Sequence, residues 1–289
     1  MTIFHTVSQD ISMTKTYPFQ QVDVFSAQPL KGNPLAVVCD ADDWSDEQMA
    51  AFANWTNLSE TTFLMKPTVP GADYRVRIFT PTGELPFAGH PTLGTCHVFL
   101  SRSGNNAKNE IVQECAAGLI KIKVRDGTLA FAAPPLRKSG PVDADAIATV
   151  AAAFGLSRDV VVDANWTDNG PGWLSLLLKS RADVLGIRPD YVALGDFKVG
   201  VVAPCSAEDG VDADFEVRAF FEYVEDPVTG SLNAGIAQWL IGAGIAPENY
   251  VASQGTVLGR AGRVSVDKVG DDIWIGGKVT TLIEGSVTV

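Results

Sequence analysis

Short apolar runs separated by turn residues dominate the first third of the chain. YPFQQVDVF (17–25), PLAVVCD (34–40), TTFLMKP (61–67) and YRVRIFT (74–80) are rich in β-branched and aromatic residues, the pattern of strands. Between the second and third of these runs, DWSDEQMAAFANWTN has the spacing of an amphipathic helix. It opens on an Asp or Ser cap and places Asp46 and Glu47 in the first turn, at the positive end of the helix dipole. Beyond Thr80 the turn-rich PTGELPFAGHP runs into PTLGTCHVFLSRS, which has helical periodicity. Strands resume at EIVQECAAG, LIKIKVRDG and TLAFAAP.

The second half follows a similar order. VDADAIATVAAAFGL predicts a helix stopped near Gly155, and strands are expected at DVVVDANW, GWLSLLLKS, FKVGVVAP and DFEVRAFF. EYVEDPVTG then leads into SLNAGIAQWLIGAG, a helix of small and apolar residues, and the chain ends in strands at TVLGR, GRVSVDKV, DIWIGGKVTT and IEGSVTV. In each half a run of strands reaches a Pro/Gly-rich turn and then an apolar helix. The repeat is one of architecture, since the two halves share few residues. It predicts an α+β fold of two pseudo-symmetric domains, each a curved mixed β-sheet wrapped around a central helix, at 92–103 and 231–243. Residues 1–16 read as an N-terminal extension, 17–133 as one domain and 134–289 as the other, with the linker at PPLRKSGP (134–141). Two helix N-termini, each with free N–H groups and partial positive charge, can then converge on one anionic ligand in the cleft.

Composition narrows the functional classes. The 289 residues carry a net charge of −12, which argues against nucleic acid or an anionic membrane as partner. It leaves room for a small anion held by local donors. No run approaches the roughly 20 apolar residues of a membrane-spanning helix. The first 16 residues, MTIFHTVSQDISMTKT, lack the layout of a secretory signal, and Met13 lies near a plausible natural start. Four scattered cysteines without a C-x-x-C pair fit a reduced, cytoplasmic protein and no structural zinc site.

A few residues stand out as chemistry. An average Glu is solvated, but Glu60 lies among Trp55, Leu58, Phe63 and Leu64, where desolvation raises a carboxyl toward the working range of a proton shuttle. Of three histidines, only His90 is framed by Gly89 and Pro91, at the entry to a helix; it reads either as a packing or cap residue or as a ligand contact. Gly89 permits close approach of backbone to a ligand. His97 is seven residues on, with no metal-ligand spacing to support a pair. Asp226, Gly230 and Ser231 form a turn in which Ser231 is able to cap the following helix, itself a candidate anion site. Asn33, in Gly-Asn-Pro, serves a turn or positions a ligand. Nucleotide-binding glycine motifs and the G-x-S-x-G nucleophile elbow are both missing.

Four motifs, GNPLAVV (32–38), NLSETTFL (57–64), TPTGELPFAGHPTLGT (80–95) and EDPVTGSLNAG (225–235), resemble those of the PhzF-type phenazine-biosynthesis isomerase family. They stand in the family's order, and the resemblance spans the chain from about residue 17 to its end. It implies a diaminopimelate-epimerase-like fold and a cofactor-independent isomerase acting on a small carboxylate-bearing metabolite, as in trans-2,3-dihydro-3-hydroxyanthranilate isomerase. It also implies that Glu60 takes a proton from one carbon and returns it to another, with His90 beside it. Asp226 and Ser231 would sit opposite, binding the substrate's amine or hydroxyl and its carboxylate. A homodimer is expected on the same ground, and no metal, nicotinamide, flavin or pyridoxal cofactor. Trp55, Tyr74, Trp173 and Tyr223 are candidate ring contacts, although each is as readily a core residue. The alternatives are a racemase or epimerase of the same fold and a non-catalytic small-molecule binder. Two-cysteine racemases carry a thiol in each helix-entry loop, whereas here those loops read AGHPT and VTGSL.

Overall fold

In the computed structural model residues 14–104 and 108–289 are described. Residues 1–13 of the expected extension lie outside them, and Thr16 already begins the first strand. Six α-helices occur among the described residues: α1 (Asp46–Thr56), α2 (Gly89–Ser103), α3 (Ala144–Ala153), α4 (Arg181–Gly186), α5 (Tyr191–Leu194) and α6 (Gly230–Gly242). None is long and apolar enough to cross a membrane.

The architectural repeat is visible strand by strand. Thr16–Val24 runs antiparallel to Asn33–Cys39, which crosses over through α1 to a parallel neighbour, Thr61–Met65. That strand pairs antiparallel with Tyr74–Thr80, which makes a hairpin with Gly83–Leu85. After α2 the chain returns as Glu110–Cys115, parallel to Tyr74–Thr80, and continues antiparallel through Gly118–Arg125 and Thr128–Ala132. The second half repeats this order of pairings: Val161–Asp168 with Trp173–Leu178, a crossover through α4 and α5 to Lys198–Pro204, then Phe215–Phe221 and its hairpin partner Val224–Asp226. After α6 come Asn249–Gln254, parallel to Phe215–Phe221, then Gly262–Val269 and Asp272–Gly277. Two strands cross the expected division of the chain. Val279–Thr288 lies antiparallel along Thr16–Val24, and Asp272–Gly277 pairs with Thr128–Ala132, so the end of the chain is bonded to its first half.

Local chemistry explains most element ends. Ser45 caps α1 in a reciprocal capping box with Gln48, and Asn57, at φ 52°, ends it in the left-handed conformation. The segment TVLGR, expected as a strand, is a 3-10 turn at Thr256–Leu258 between Gly255 and Gly259, both at positive φ. The strand lies just before it, in NYVASQ, where parallel pairing to Phe215–Phe221 outweighs a weak apolar pattern. DIWIGGKVTT is likewise split at Lys278 between two strands. The short helices α4 and α5 have no counterpart in the sequence reading.

The two central helices are buried nearly all round, as the apolar composition of both segments requires. Each carries a glycine at its sixth position where it rests on a strand. A methyl group at Gly94 would lie 2.5 Å from Leu35 Cδ2, and one at Gly235 would lie 2.2 Å from the Thr167 carbonyl oxygen. A side-chain tip can turn aside, but a sheet carbonyl cannot. Gly235→Ala is therefore expected to cost about 3 kcal/mol and Gly94→Ala about half as much, measured by urea denaturation of each variant. Equal losses would mean that both helices are free to shift.

Candidate active site

The hairpins of both halves feed their central helices in the same way. The N-cap residues are Ala88 for α2 and Thr229 for α6, and neither makes a side-chain cap bond. Gly89 and Gly230 follow as the first helical residues, and His90 and Ser231 occupy the second position in each. Ser231 is thus not the cap that the sequence suggested: Thr229 has extended backbone angles and the helix begins one residue before Ser231. His90 is not a cap either. A methyl group at Gly89 would lie 3.2 Å from Gly230 Cα, and one at Gly230 3.3 Å from Gly89 Cα, with the Phe131 ring against both. The two helix N-termini therefore meet. First-turn N–H groups and the positive ends of two helix dipoles are thus brought side by side, an environment that favours a carboxylate.

Glu60 sits immediately before the strand Thr61–Met65, with its side chain 16% exposed, and its Oε2 is 3.4 Å from His90 Nε2. Both atoms are buried and neither is hydrogen-bonded. Burial pushes the Glu60 carboxyl up to about 8, with the negative charge of Asp226 acting in the same direction. The same burial pushes His90 down to about 3, against a hydrogen bond to the Pro34 backbone, which can only be to its carbonyl because proline has no N–H. At neutral pH the pair is a protonated carboxyl facing a neutral imidazole, not an ion pair.

Asp226 ends the short strand Val224–Asp226 and is buried. Asn33 Nδ2 donates to its Oδ1 at 3.0 Å and Thr229 Oγ1 to its Oδ2 at 2.5 Å. Burial raises its carboxyl to about 6, with these two hydrogen bonds opposing and Glu225 adding to the rise. Glu225 is itself clamped by Arg218, whose guanidinium makes bonds of 2.9 and 2.7 Å to it and also donates to the Val184 and Ile187 carbonyls. This buried clamp holds the strand that presents Asp226. Asn33, the first residue of its strand rather than part of a turn, is fully buried and donates in addition to the Val228 carbonyl at 3.0 Å, so it ties the two halves together. Ser231 Oγ accepts from Trp173 Nε1 at 3.0 Å, which leaves the hydroxyl proton to be donated elsewhere.

All seven candidate residues, Asn33, Glu60, Gly89, His90, Asp226, Gly230 and Ser231, thus belong to or border the meeting point of the two helices. The aromatic candidates divide. Trp173 is buried beneath Ser231, and Tyr74 is a core residue bonded to Gln113 through its hydroxyl. Trp55 and Tyr223 are exposed, on α1 and in a hairpin turn. His97 faces Thr281, with Nε2 and Oγ1 2.9 Å apart, and no group of three metal-ligating side chains is formed among the described residues. Cys96 is buried inside α2, its thiol pushed up to about 12 by burial. Sequence reasoning passed over Thr229, Phe131 and Gln254. Thr229 lies inside a motif already singled out; Gln254 stands in a strand with no signal of its own.

The chain as a whole is similar to known proteins. A family model described as phenazine biosynthesis-like protein matches residues 22–285. Antisense-enhancing sequence 1 of Schizosaccharomyces pombe is 36% identical over 93% of this chain and 98% of its own length. Trans-2,3-dihydro-3-hydroxyanthranilate isomerase of Pseudomonas aeruginosa is 34% identical over 84% of this chain and 87% of its own. The crystal structure of a PhzF-family phenazine biosynthesis protein from Enterococcus faecalis superposes with a TM-score of 0.79 at 28% identity, covering 94% of this chain and 99% of the other. Fold, motifs and relatives agree, and the chain belongs to the phenazine biosynthesis-like PhzC-PhzF family.

Proposed function

We propose that the protein is a cofactor-independent isomerase that moves a proton between carbons of a small carboxylate-bearing metabolite of the trans-2,3-dihydro-3-hydroxyanthranilate type, with Glu60 as acid and base. The observation that carries this reading is the carboxyl of Glu60, raised to about 8, 3.4 Å from a neutral imidazole where two helix N-termini meet. The substrate carboxylate is held by first-turn N–H groups and the Ser231 hydroxyl. Ionised Glu60 takes the proton of a substrate C–H bond, and the electron pair enters the conjugated system. The new Glu60 O–H bond then breaks as the proton is delivered to a second carbon, and the carboxylate is regenerated. His90 Nε2 accepts a hydrogen bond from a substrate hydroxyl or amine, and Asp226 binds a second donor.

The pH dependence follows with a definite sign. A base must be ionised in the free enzyme, so kcat/KM is expected to rise with pH and level off above about 8. A rate that falls above pH 8 would instead make Glu60 the group that donates first. The direct test is proton NMR in D₂O with trans-2,3-dihydro-3-hydroxyanthranilate, then with a panel of small amino and hydroxy acids. Isomerisation with deuterium incorporation supports the proposal. Exchange at a stereocentre with inversion would favour a racemase in which Asp226, raised to about 6, serves as the second acid/base. Ligand binding without any exchange would leave a non-catalytic binder.

A further inference from the structure

Gln254, at the end of the strand Asn249–Gln254, is completely buried and uses every hydrogen bond its amide can make. Its Oε1 accepts from the Thr229 backbone N–H at 3.0 Å and from Asn233 Nδ2 at 2.8 Å. Its Nε2 donates to the Asp226 carbonyl at 3.1 Å and to Thr229 Oγ1 at 3.0 Å. The Thr229 backbone N–H can only donate and the Asp226 carbonyl can only accept, and these two leave the amide a single orientation. The consequence passes to Thr229. Because its hydroxyl oxygen receives the Gln254 N–H, its own proton is directed to Asp226 Oδ2. The other carboxyl oxygen receives Asn33 Nδ2, whose second hydrogen is committed to the Val228 carbonyl. Both oxygens of Asp226 therefore face donors, an arrangement that suits the carboxylate and opposes protonation.

The first half contains a partial echo. Gln113, on the strand equivalent to Asn249–Gln254, donates to Thr92 at 3.0 Å, and Thr92 is the fourth residue of α2 as Asn233 is the fourth of α6. There the N-cap is Ala88, with no hydroxyl to relay a proton. The relay exists only on the side that carries Asp226.

We infer that Gln254 is a positioning residue that, through Thr229, holds Asp226 as the anionic member of the Glu60–Asp226 pair and so leaves the proton on Glu60. The inference deepens the proposed function and rests on it for the placement of Asp226 in the reacting site. The charged and titratable groups around Asp226 are Glu60 and His90 from the first half and Glu225 on its own strand, the last neutralised by Arg218. The strand Asn249–Gln254 contributes no carboxylate or cation, and neither does the first turn of α6.

The test is a carbon-13 NMR titration of the full chain labelled at Asp and Glu carboxyls, with Asp226→Asn and Glu60→Gln used to assign the two signals. It needs no substrate, so a failure of the proposed isomerase activity does not affect it. In the unmodified protein Asp226 is expected to titrate below Glu60. Gln254→Met should move the Asp226 midpoint upward by about one pH unit, the worth of one hydrogen bond to a charged group. Thr229→Val should give the same shift, Thr229→Ser none, and the double variant Gln254→Met with Thr229→Val no further shift. Should Gln254→Met not fold, the Thr229→Val and Thr229→Ser pair decides. An Asp226 midpoint unchanged in folded Thr229→Val, or one lying above Glu60 in the unmodified protein, overturns the inference.

Discussion

Glu60→Gln is expected to lower turnover by roughly 10²–10⁴-fold, the range for removal of a general acid–base group, and to make the folded protein more stable at alkaline pH. The two effects have one cause. Between pH 4.5 and about 8 the folded protein holds a proton on Glu60 that the unfolded chain has released. Stability falls with rising pH wherever the folded state binds more protons than the unfolded one, so the decline runs through this window and is complete above about 8. At 1.36 kcal/mol per unit it amounts to something on the order of 3–5 kcal/mol for a group this deeply placed. Glutamine keeps the volume and does not ionise. Urea denaturation at pH 5.5, 7 and 8.5 should show the unmodified protein losing stability across the series. The variant should keep the loss due to Asp226, which ends near pH 6, and the opposing gain due to His90, whose depressed value adds stability as pH rises to about 6.5. Parallel curves would show that Glu60 is not held protonated by its burial, and the account of the site would fail with it.

Gly89→Ala should be nearly as damaging to turnover through geometry alone. The added methyl group would lie 2.7 Å from Phe131 Cζ and 3.2 Å from Gly230 Cα, so either the ring or the junction of the two helices must move. Phe131 is fully buried, and close packing in a protein interior resists the turning of its ring. The expected result is a separation of the helix N-termini and a loss of about 10²-fold, comparable with a displacement of about 1 Å in a catalytic array. Gly230→Ala makes a looser contact, 3.3 Å to both neighbours, and should lose less. Shortening the wedge tests the cause: adding Phe131→Leu to Gly89→Ala should restore part of the rate despite the cavity it creates. If the double variant is slower than Gly89→Ala, the ring supports the junction rather than limiting it.

Much of the fold was legible because local and global preferences agree. Strands at 61–65 and 74–80 are β-branched or aromatic and bounded by turns, and α1 announces itself by its Ser45 cap and the acidic first turn at Asp46 and Glu47. The central helices are rich in small and apolar residues because a sheet surrounds them. Where the local signal was weak, tertiary pairing decided. NYVASQ becomes a strand because Phe215–Phe221 offers it a partner, and TVLGR loses that role to two glycines at positive φ. The stretch containing α4 and α5 has no clear period: only the caps Ser180 and Asp190 mark the two helices locally, and α4 is completed by packing on the sheet and α5 by packing on α3.

The site divides along the same line. His90, Asp226 and Ser231 were found in sequence because each lies beside glycine or proline where the chain turns into a helix, and Glu60 because apolar residues flank it; their roles came from the family's motifs. Their types and order along the chain were thus determined by the sequence. Charge state, by contrast, belongs to the folded molecule. Burial against Asp226 keeps the proton on Glu60, burial keeps His90 neutral, and Asn33 with Thr229 favours the anion on Asp226. Trp173, one of four aromatic candidates, reaches Ser231 only because residues 58 positions apart are brought together, while Trp55, closer in sequence to Glu60, is left in solvent. Desolvation and hydrogen-bond direction depend on which atoms surround a group in space, and those atoms come from strands and helices far apart in the chain.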